Sequence, residues 1–276
     1  MLLALLARCA AERKLSAIHV HHGLSPHADA WTEVCQDICA ALKVPLEVVR
    51  ISVPRKTGEG LEASARRLRY QAFETCAADY LLLAHHANDQ AETLLFNLLR
   101  GAGVRGAAGI PAVSGRYLRP LLPFARAELE ACAKQLGLRW VDDESNEDVS
   151  FSRNFIRHKV VPVLETRFPA TVENLARAAD HFAEAQEMLD EIARQDLGTC
   201  RDFPVPVALF AALSAPRARN VLRYLLALRG LQAPVTKRLE EALRQFIEAA
   251  PDRHPSLELP TYRLFRARGR IALEPR

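Results

Sequence analysis

Twelve glycines are scattered through the 276 residues and no two of them adjoin, so the chain offers no Gly-Gly turn. The six cysteines (Cys9, Cys35, Cys39, Cys76, Cys132, Cys200) form no C-x-x-C pair and none has zinc-ligand spacing. Cys35 and Cys39, one helical turn apart, read as small buried residues in a reducing compartment. No apolar run approaches the length of a membrane span. The opening MLLALLARCAAERK lacks a basic leader and is broken at Arg8, so it reads as an amphipathic helix rather than a signal peptide. A large excess of either charge is also lacking: the net value is +4, which permits a nucleic-acid partner without demanding one. The expectation is a cytoplasmic protein with no membrane partner. A homodimer stays open, because a dimer patch and a domain interface look alike in composition.

What is present is an alternation of strand and helix. Residues 17–21 are strand-like, 26–42 helical, 46–53 strand-like and 61–76 helical. The apolar Tyr80-Leu81-Leu82-Leu83-Ala84 then reads as a short buried strand, followed by a helix after Asn88. This order predicts an α/β fold with a parallel sheet covered by helices on both faces. Ligands of such sheets sit beyond the carboxyl ends of the strands. His21-His22-Gly23 and His85-His86 stand at two of those ends, so both pairs are expected in one crevice. The Gly- and Ala-rich stretch 101–115 reads as a mobile loop, and a helix is expected over 126–136. Beyond Pro169 the pattern is helical only (171–195, 217–229, 237–249), until an alternating hairpin turns at Arg268-Gly269. The predicted division is an α/β domain over 1–168 and a smaller, mainly helical domain over 169–276.

Three constellations carry chemistry. On a helix, His85, Asp89 and Glu92 fall at i, i+4 and i+7 and share one stripe, beside the leucine face of Leu94, Leu95, Leu98 and Leu99. Asp89 and Glu92 suit a divalent cation on a polyphosphate, although carboxylates in a first turn also answer the helix dipole. Arg66 and Arg69 share a face and suit phosphate or carboxylate, or else a solvated surface with Glu62 paired to Arg66. Asp143, Ser145 and Asn146 precede Arg153, Asn154 and Arg157; read alone, this is a helix cap followed by two arginines able to clamp one anion. A rival reading makes the chain a metal-dependent hydrolase with His19, His21, His22, His85 and His86 as ligands. That reading leaves the arginine clusters without a role.

With these pieces in order, the chain resembles the tRNA(Ile)-lysidine synthases, a branch of the N-type ATP pyrophosphatases (the PP-loop family). The resemblance rests on ordered blocks: His19-Val20-His21-His22-Gly23-Leu24, residues 62–70, residues 85–106, Arg119-Pro120-Leu121-Leu122, and residues 143–157 closing on Pro162. Arg219-Asn220-x-x-Arg223 and the terminal hairpin look like the family's helical substrate domain. The resemblance implies a ligase forming a carbon–nitrogen bond. ATP adenylates the wobble cytidine of tRNA(Ile), pyrophosphate leaves, and the side-chain amine of free L-lysine displaces AMP. It implies ATP and Mg²⁺ as cofactors, with His85, Asp89 and Glu92 as catalytic residues and Asp89 and Glu92 as Mg²⁺ ligands. His22, Arg66, Arg69 and His86 would contact ATP or pyrophosphate. Arg105, Asp143, Asn146, Arg153, Asn154 and Arg157 would serve lysine or tRNA, and residues 101–109 with the helical domain would hold tRNA through its phosphates.

Two departures from the family pattern stand out. Asn88 occupies a position where many members carry Asp, and tolerance is expected because Asp89 and Glu92 remain. The family's first strand and its S-G-G-x-D-S pyrophosphate loop are not among these 276 residues. Residues 1–276 alone are therefore expected not to adenylate tRNA; the alternative is a non-catalytic tRNA-binding remnant.

Overall fold

The computed structural model describes residues 1–9, 14–54, 60–141, 143–250 and 252–276, with the Glu62 side chain outside the description. Two compact units divide at Phe182/Ala183, inside one long helix.

In the first unit, helix α1 (Leu2–Cys9) precedes strand β1 (Ala17–His21), helix α2 (Ala28–Ala41), strand β2 (Leu46–Arg50) and helix α3 (Leu61–Glu74). Strand β3 (Leu81–Leu82) leads into helix α4 (Ala87–Leu99), short helix α5 (Val104–Ala107), hairpin strands β4 (Val113–Ser114) and β5 (Tyr117–Leu118), and helix α6 (Arg126–Gln135). β1 and β2 pair in parallel, as do β3 and β5. The expected parallel pairing thus forms, but not as one sheet. Among the described residues β1–β2 and β3–β5–β4 are separate sheets, and β4 runs antiparallel. The predicted five-residue strand from Tyr80 shrinks to two residues, because β5 offers only Tyr117 and Leu118 as partners.

The stretch predicted as a mobile loop is instead fastened to α4. Gln90, almost fully buried, donates its amide to the Ile110 carbonyl (3.1 Å) and accepts from the Ile110 N–H (2.6 Å). Asn97, two turns further on, donates to the Gly106 carbonyl at 2.8 Å. Ala107 is buried with Leu94 and Ala179. Two amide side chains on α4 therefore do what a strand ladder would otherwise do for this backbone.

A 3₁₀ turn (Glu144–Glu147) leads to helix α7 (Ser152–Phe155), which runs through a π-helical turn (Ile156–Val160) into helix α8 (Val161–Arg167). Helix α9 (Thr171–Leu197) begins in the first unit, where Val172 joins Ala87, Ala91, Ile156 and Val161 in one core. From Ala183 onward α9 belongs to the second unit. Its Ala193 and Leu197 join Phe210, Leu222, Leu226, Phe246, Tyr262 and Ile271 in a separate core.

The second unit adds strand β6 (Val205–Pro206), helices α10 (Val207–Ala211), α11 (Ala215–Leu228) and α12 (Thr236–Glu248), and strands β7 (Ser256–Glu258), β8 (Tyr262–Ala267) and β9 (Arg270–Pro275). The predicted hairpin is β8–β9, and its turn takes positive φ at both Arg268 (49°) and Gly269 (69°), as a tight two-residue connection requires. The unit is not helical up to that hairpin: β6 and β7 extend it to a four-stranded antiparallel sheet. Strands of two or three residues are too short to show alternation.

Gly109 has φ +66°, and a Cβ there would lie 2.5 Å from the Gln90 amide oxygen. Gly109→Ala is expected to cost about 1–3 kcal/mol, through backbone strain and loss of the Gln90 clamp. Urea unfolding checks this, and a change within about 0.5 kcal/mol, the range of an ordinary surface substitution, would contradict it.

Candidate active site

α4 starts at Ala87, so His85 precedes the helix and does not share the stripe predicted for it with Asp89 and Glu92. His86 is instead the N-cap. Its Nδ1 accepts from the Asp89 N–H (3.4 Å), and Asp89 Oδ2 accepts from the His86 N–H (3.0 Å). This reciprocal cap satisfies two donors that the first turn leaves open. It also requires His86 Nδ1 to be an acceptor, hence a neutral ring, and burial lowers the His86 pKa in the same direction. The dipole-answering role is therefore real for Asp89, whose Oδ1 is not part of the cap. Asn88 Oδ1 accepts from the N–H of Arg126, the first residue of α6, at 2.8 Å, a bond an amide makes as well as a carboxylate.

Glu92, one turn on, is almost fully buried. Arg157 grips it bidentately, with Nε to Oε1 at 2.7 Å and Nη2 to Oε2 at 2.9 Å, while Arg153 Nε reaches Oε2 at 3.2 Å. Arg153 also donates to the Asp89 carbonyl (3.3 Å) and to the Thr93 hydroxyl (3.0 Å). The anion clamped by this arginine pair is thus the chain's own carboxylate. The π turn explains the geometry. A wider turn spends fewer degrees per residue, so positions 153 and 157 fall nearly in line and both forks meet one group. The hydrogen bonds that Arg157 donates to Glu92 raise its pKa above the ordinary value.

This arrangement corrects the metal assignment. Both Glu92 oxygens are committed to guanidinium groups, and one Asp89 oxygen is committed to the cap. The other, Oδ1, lies 3.7 Å from Arg153 Nη2 and 3.6 Å from Arg157 Nη2, beyond hydrogen-bond distance, so it alone of the four oxygens stays open. With neither Glu92 oxygen open, a divalent cation bridging Asp89 and Glu92 does not fit these residues. Nor do the histidines assemble as hydrolase ligands: among the described residues no three His, Cys, Asp or Glu side chains could share a metal ion. His19 Nδ1 instead faces Cys35 Sγ at 3.7 Å, and His21 Nε2 lies 3.3 Å from both Arg50 Nη1 and Asp29 Oδ1.

A cavity of about 270 Å³ is lined by Arg66, Arg69, Tyr70, Phe73, Leu83 and His85. The shared face of Arg66 and Arg69 points into it, and Arg66 also stacks over the Tyr70 ring, 5.1 Å from its centre. The pairing of Arg66 with Glu62 lies outside the described residues. Arg69 Nε donates to His22 Nε2 at 3.1 Å, so one histidine from each strand end, His22 and His85, meets the arginine pair, whereas His21 faces Asp29 and Arg50 and His86 caps α4. His85 has its pKa pushed down to about 4 by burial, with Arg119, Arg66 and Arg153 adding to the effect and Asp89 opposing it. His22 is likewise held at about 4, by burial and then by Arg69.

The remaining predicted residues are placed less centrally. Asp143 Oδ1 accepts from the Ser145 N–H (2.8 Å), the cap that its sequence context suggested. Asn154 donates to the carbonyls of Ser145 (2.8 Å) and Asp148 (3.0 Å), and His158 Nε2 meets the Asn146 carbonyl at 2.8 Å. Asn154 thus shapes the 143–148 segment, whereas the Asn146 side chain is exposed. Arg105 is exposed on α5, beside Gly106, which Asn97 holds, rather than among the cavity residues. The sequence did not single out Arg119, which is buried and donates to the Pro111 carbonyl at 2.8 Å, or His27, which meets Glu144 at 3.0 Å. Arg119 stood in a recognisable block but carried no partner in the sequence. In the second unit Arg219 pairs with Glu240 (2.9 Å), Arg223 donates to Thr236 (2.8 Å) and Asn220 to the Leu189 carbonyl (2.5 Å). No helix among the described residues is long and apolar enough to cross a membrane.

The PP-loop domain family matches residues 1–164, more than half of the chain. The chain belongs to the PP-loop family. A second family, the TilS substrate binding domain, matches residues 206–272. Curated relatives include the tRNA(Ile)-lysidine synthase of Azoarcus sp. (strain BH72), 46% identical over 85% of this chain and 54% of the relative. That of Alkalilimnicola ehrlichii is 46% identical over 98% of this chain and 63% of the relative. That of Pseudomonas fluorescens (strain Pf0-1) is 49% identical over 81% and 53%. The chain thus spans between about half and five-eighths of the length of these relatives. Among solved structures, the U34-tRNA thiolase NcsA from Methanococcus maripaludis aligns with a TM-score of 0.51 at 17% identity, covering 66% of this chain and 68% of that one. At that identity the likeness speaks to the fold alone.

Two outcomes follow from the site geometry. Arg157→Met leaves a buried carboxylate with one partner and is expected to cost about 3 kcal/mol. Adding Glu92→Gln should recover part of that loss, and strictly additive losses in the double-mutant cycle would show that the two residues do not act as a pair. Secondly, His22 and His85 refuse protons in the folded state that the unfolded chain accepts below its ordinary histidine pKa of 6.5. Their stabilising effect is complete above pH 6.5 and is lost as pH falls toward 4. The urea midpoint should therefore drop between pH 7 and pH 5, and the drop should be smaller in His22→Asn and His85→Asn.

Proposed function

We propose that this chain supplies the nucleotide and lysine portion of a ligase that joins free L-lysine to the wobble cytidine of tRNA(Ile), using ATP and passing through an adenylated tRNA. The observation that supports this reading is a cavity bearing two guanidinium groups whose His85 wall lies within the electrostatic reach of the Asp89 carboxylate in the first turn of α4. Family membership and the names of the relatives agree with it.

Arg66 and Arg69 would hold the polyphosphate of ATP. Charge growing on the leaving pyrophosphate would be met by these fixed donors rather than by water. Asp89 Oδ1, the carboxylate oxygen outside the cap, would receive the lysine ammonium, and Arg153 and Arg157 would keep Glu92 from competing for it. His85, neutral at the cavity wall, could accept a hydrogen bond from the substrates or donate one to them without adding charge beside the arginines. The second unit, matching the substrate binding family, would hold tRNA mainly through phosphates, and the target base would leave its stack to reach the cavity.

In the protein that carries these residues, labelled lysine is expected to enter tRNA(Ile) only when ATP is supplied. Asp89→Asn should raise the KM for lysine at least ~10-fold, as expected for removing a charged hydrogen-bond partner worth about 1.5–3 kcal/mol. Salt-sensitive tRNA binding with no ATP-dependent lysine incorporation would overturn the ligase reading in favour of a tRNA-binding protein.

A further inference from the structure

Arg66, Tyr70 and Glu74 stand one turn apart on α3 and share one stripe of it. Tyr117, on β5, reaches two of the three. Its ring centre lies 5.3 Å from that of Tyr70, tilted by 55°, and its hydroxyl donates to Glu74 Oε1 at 2.5 Å. Phe73 meets Tyr70 edge-on at 5.7 Å. Tyr70 is therefore held by a strand residue as well as by its own helix, and it carries Arg66. The Arg66 guanidinium carbon sits 5.1 Å from the Tyr70 ring centre, and Nη2 lies 3.5 Å from the Tyr70 hydroxyl. Arg66, Tyr70 and Phe73 line the cavity, whereas Tyr117 and Glu74 stand behind it.

The strand that bears Tyr117 is itself fixed. The Leu81 N–H donates to the Arg116 carbonyl at 2.8 Å, and Arg116 Nη2 donates to the Cys76 carbonyl just beyond α3 at 2.7 Å. Burial and then the Glu74 bond push the Tyr117 pKa up to about 12, so its hydroxyl remains a donor throughout the neutral range. A free arginine side chain samples many rotamers, and ordering it on an anion costs affinity. An arginine already laid against a fixed ring loses less. We propose that Tyr117 is a positioning residue: acting through Tyr70, it holds the Arg66 guanidinium ready at the cavity wall, so that an anion meets a group already ordered. For the identity of that anion, a polyphosphate, the proposal rests on the nucleotide reading; for the ordering of Arg66 it does not.

The test compares Tyr117→Leu, which removes the ring, with Tyr117→Phe, which removes only the hydroxyl. ¹⁵N relaxation of the Arg66 Nε–H reads its picosecond-to-nanosecond order without any ligand. In the wild type Arg66 is expected to be more ordered than the exposed Arg268. Its order should fall to the level of Arg268 in Tyr117→Leu and fall part of the way in Tyr117→Phe, which keeps the relay readable if Tyr117→Leu does not fold. A wild-type Arg66 as mobile as Arg268, or one that neither variant changes, would overturn the proposal. Titration calorimetry with inorganic pyrophosphate gives the second readout. Tyr117→Leu should weaken binding ~5-fold, the factor for freeing one long side chain at about 1 kcal/mol. In an Arg66→Met background the same substitution should change binding by less than ~2-fold, because its effect runs through Arg66. A residue that only supports the fold would cost the same in both backgrounds, so equal losses would also overturn the proposal. If the wild-type chain takes up no pyrophosphate while Tyr117 still orders Arg66, the nucleotide reading fails and the positioning stands.

Discussion

A carboxylate taken out of water must be repaid in full by the groups around it, and Glu92 sets that demand at the centre of α4. Its hydrogen bonds come from two arginines four residues apart, and both forks can reach only if the chain carrying them arrives with a particular twist. The π-helical turn at Ile156–Val160 supplies that twist. Once α7 and the π turn are fixed, Asn154 and His158 hold the backbone of the 143–148 segment, and His27 holds Glu144 from the start of α2. One buried charge therefore dictates where a polar segment with no ladder of its own must lie.

The rest of α4 extends the same logic. Its first turn is closed by His86 and Asp89, and Gln90 and Asn97 fix the glycine-rich stretch that follows. Leu94 and Ala91 fill the cores beneath. Hardly any polar side chain on this helix is left to solvent alone. The helix is a scaffold that happens to end in a site, which is why its N-terminal residues can be held to the geometry that chemistry needs.

This division explains what the sequence could and could not reveal. Helices α2, α3, α4, α6, α9, α11 and α12 were legible because each is long enough to repeat an apolar face. Of the strands of two or three residues, β3 was foreseen from the apolar run at 80–84, though too long, whereas β4, β5, β6 and β7 were not, since alternation needs more length than they have. Asp89, Glu92, Arg153 and Arg157 were legible as important, yet their partners were not: spacing says which residues share a face, not which face another segment will meet. An arginine pair able to clamp an anion was expected, but a guest anion and an internal glutamate produce the same pattern in one dimension. The glycines at 101–109 misled for a related reason, because composition reports backbone freedom and cannot report the two amides that remove it.

The charges around the cavity point in one direction. Glu92 is neutralised by its clamp, and Asp89 spends one oxygen on the helix cap. Arg66 and Arg69 face the cavity, and Arg119 adds its field from a buried position behind it. Burial first, and then the neighbouring guanidinium groups, keep His22 and His85 uncharged well below neutral pH. Neutral imidazoles give directional hydrogen bonds where more positive charge would give only longer-range attraction. An anion at this cavity would be attracted by the arginines and oriented by the neutral histidines, a separation that would suit the phosphoryl groups of the proposed function.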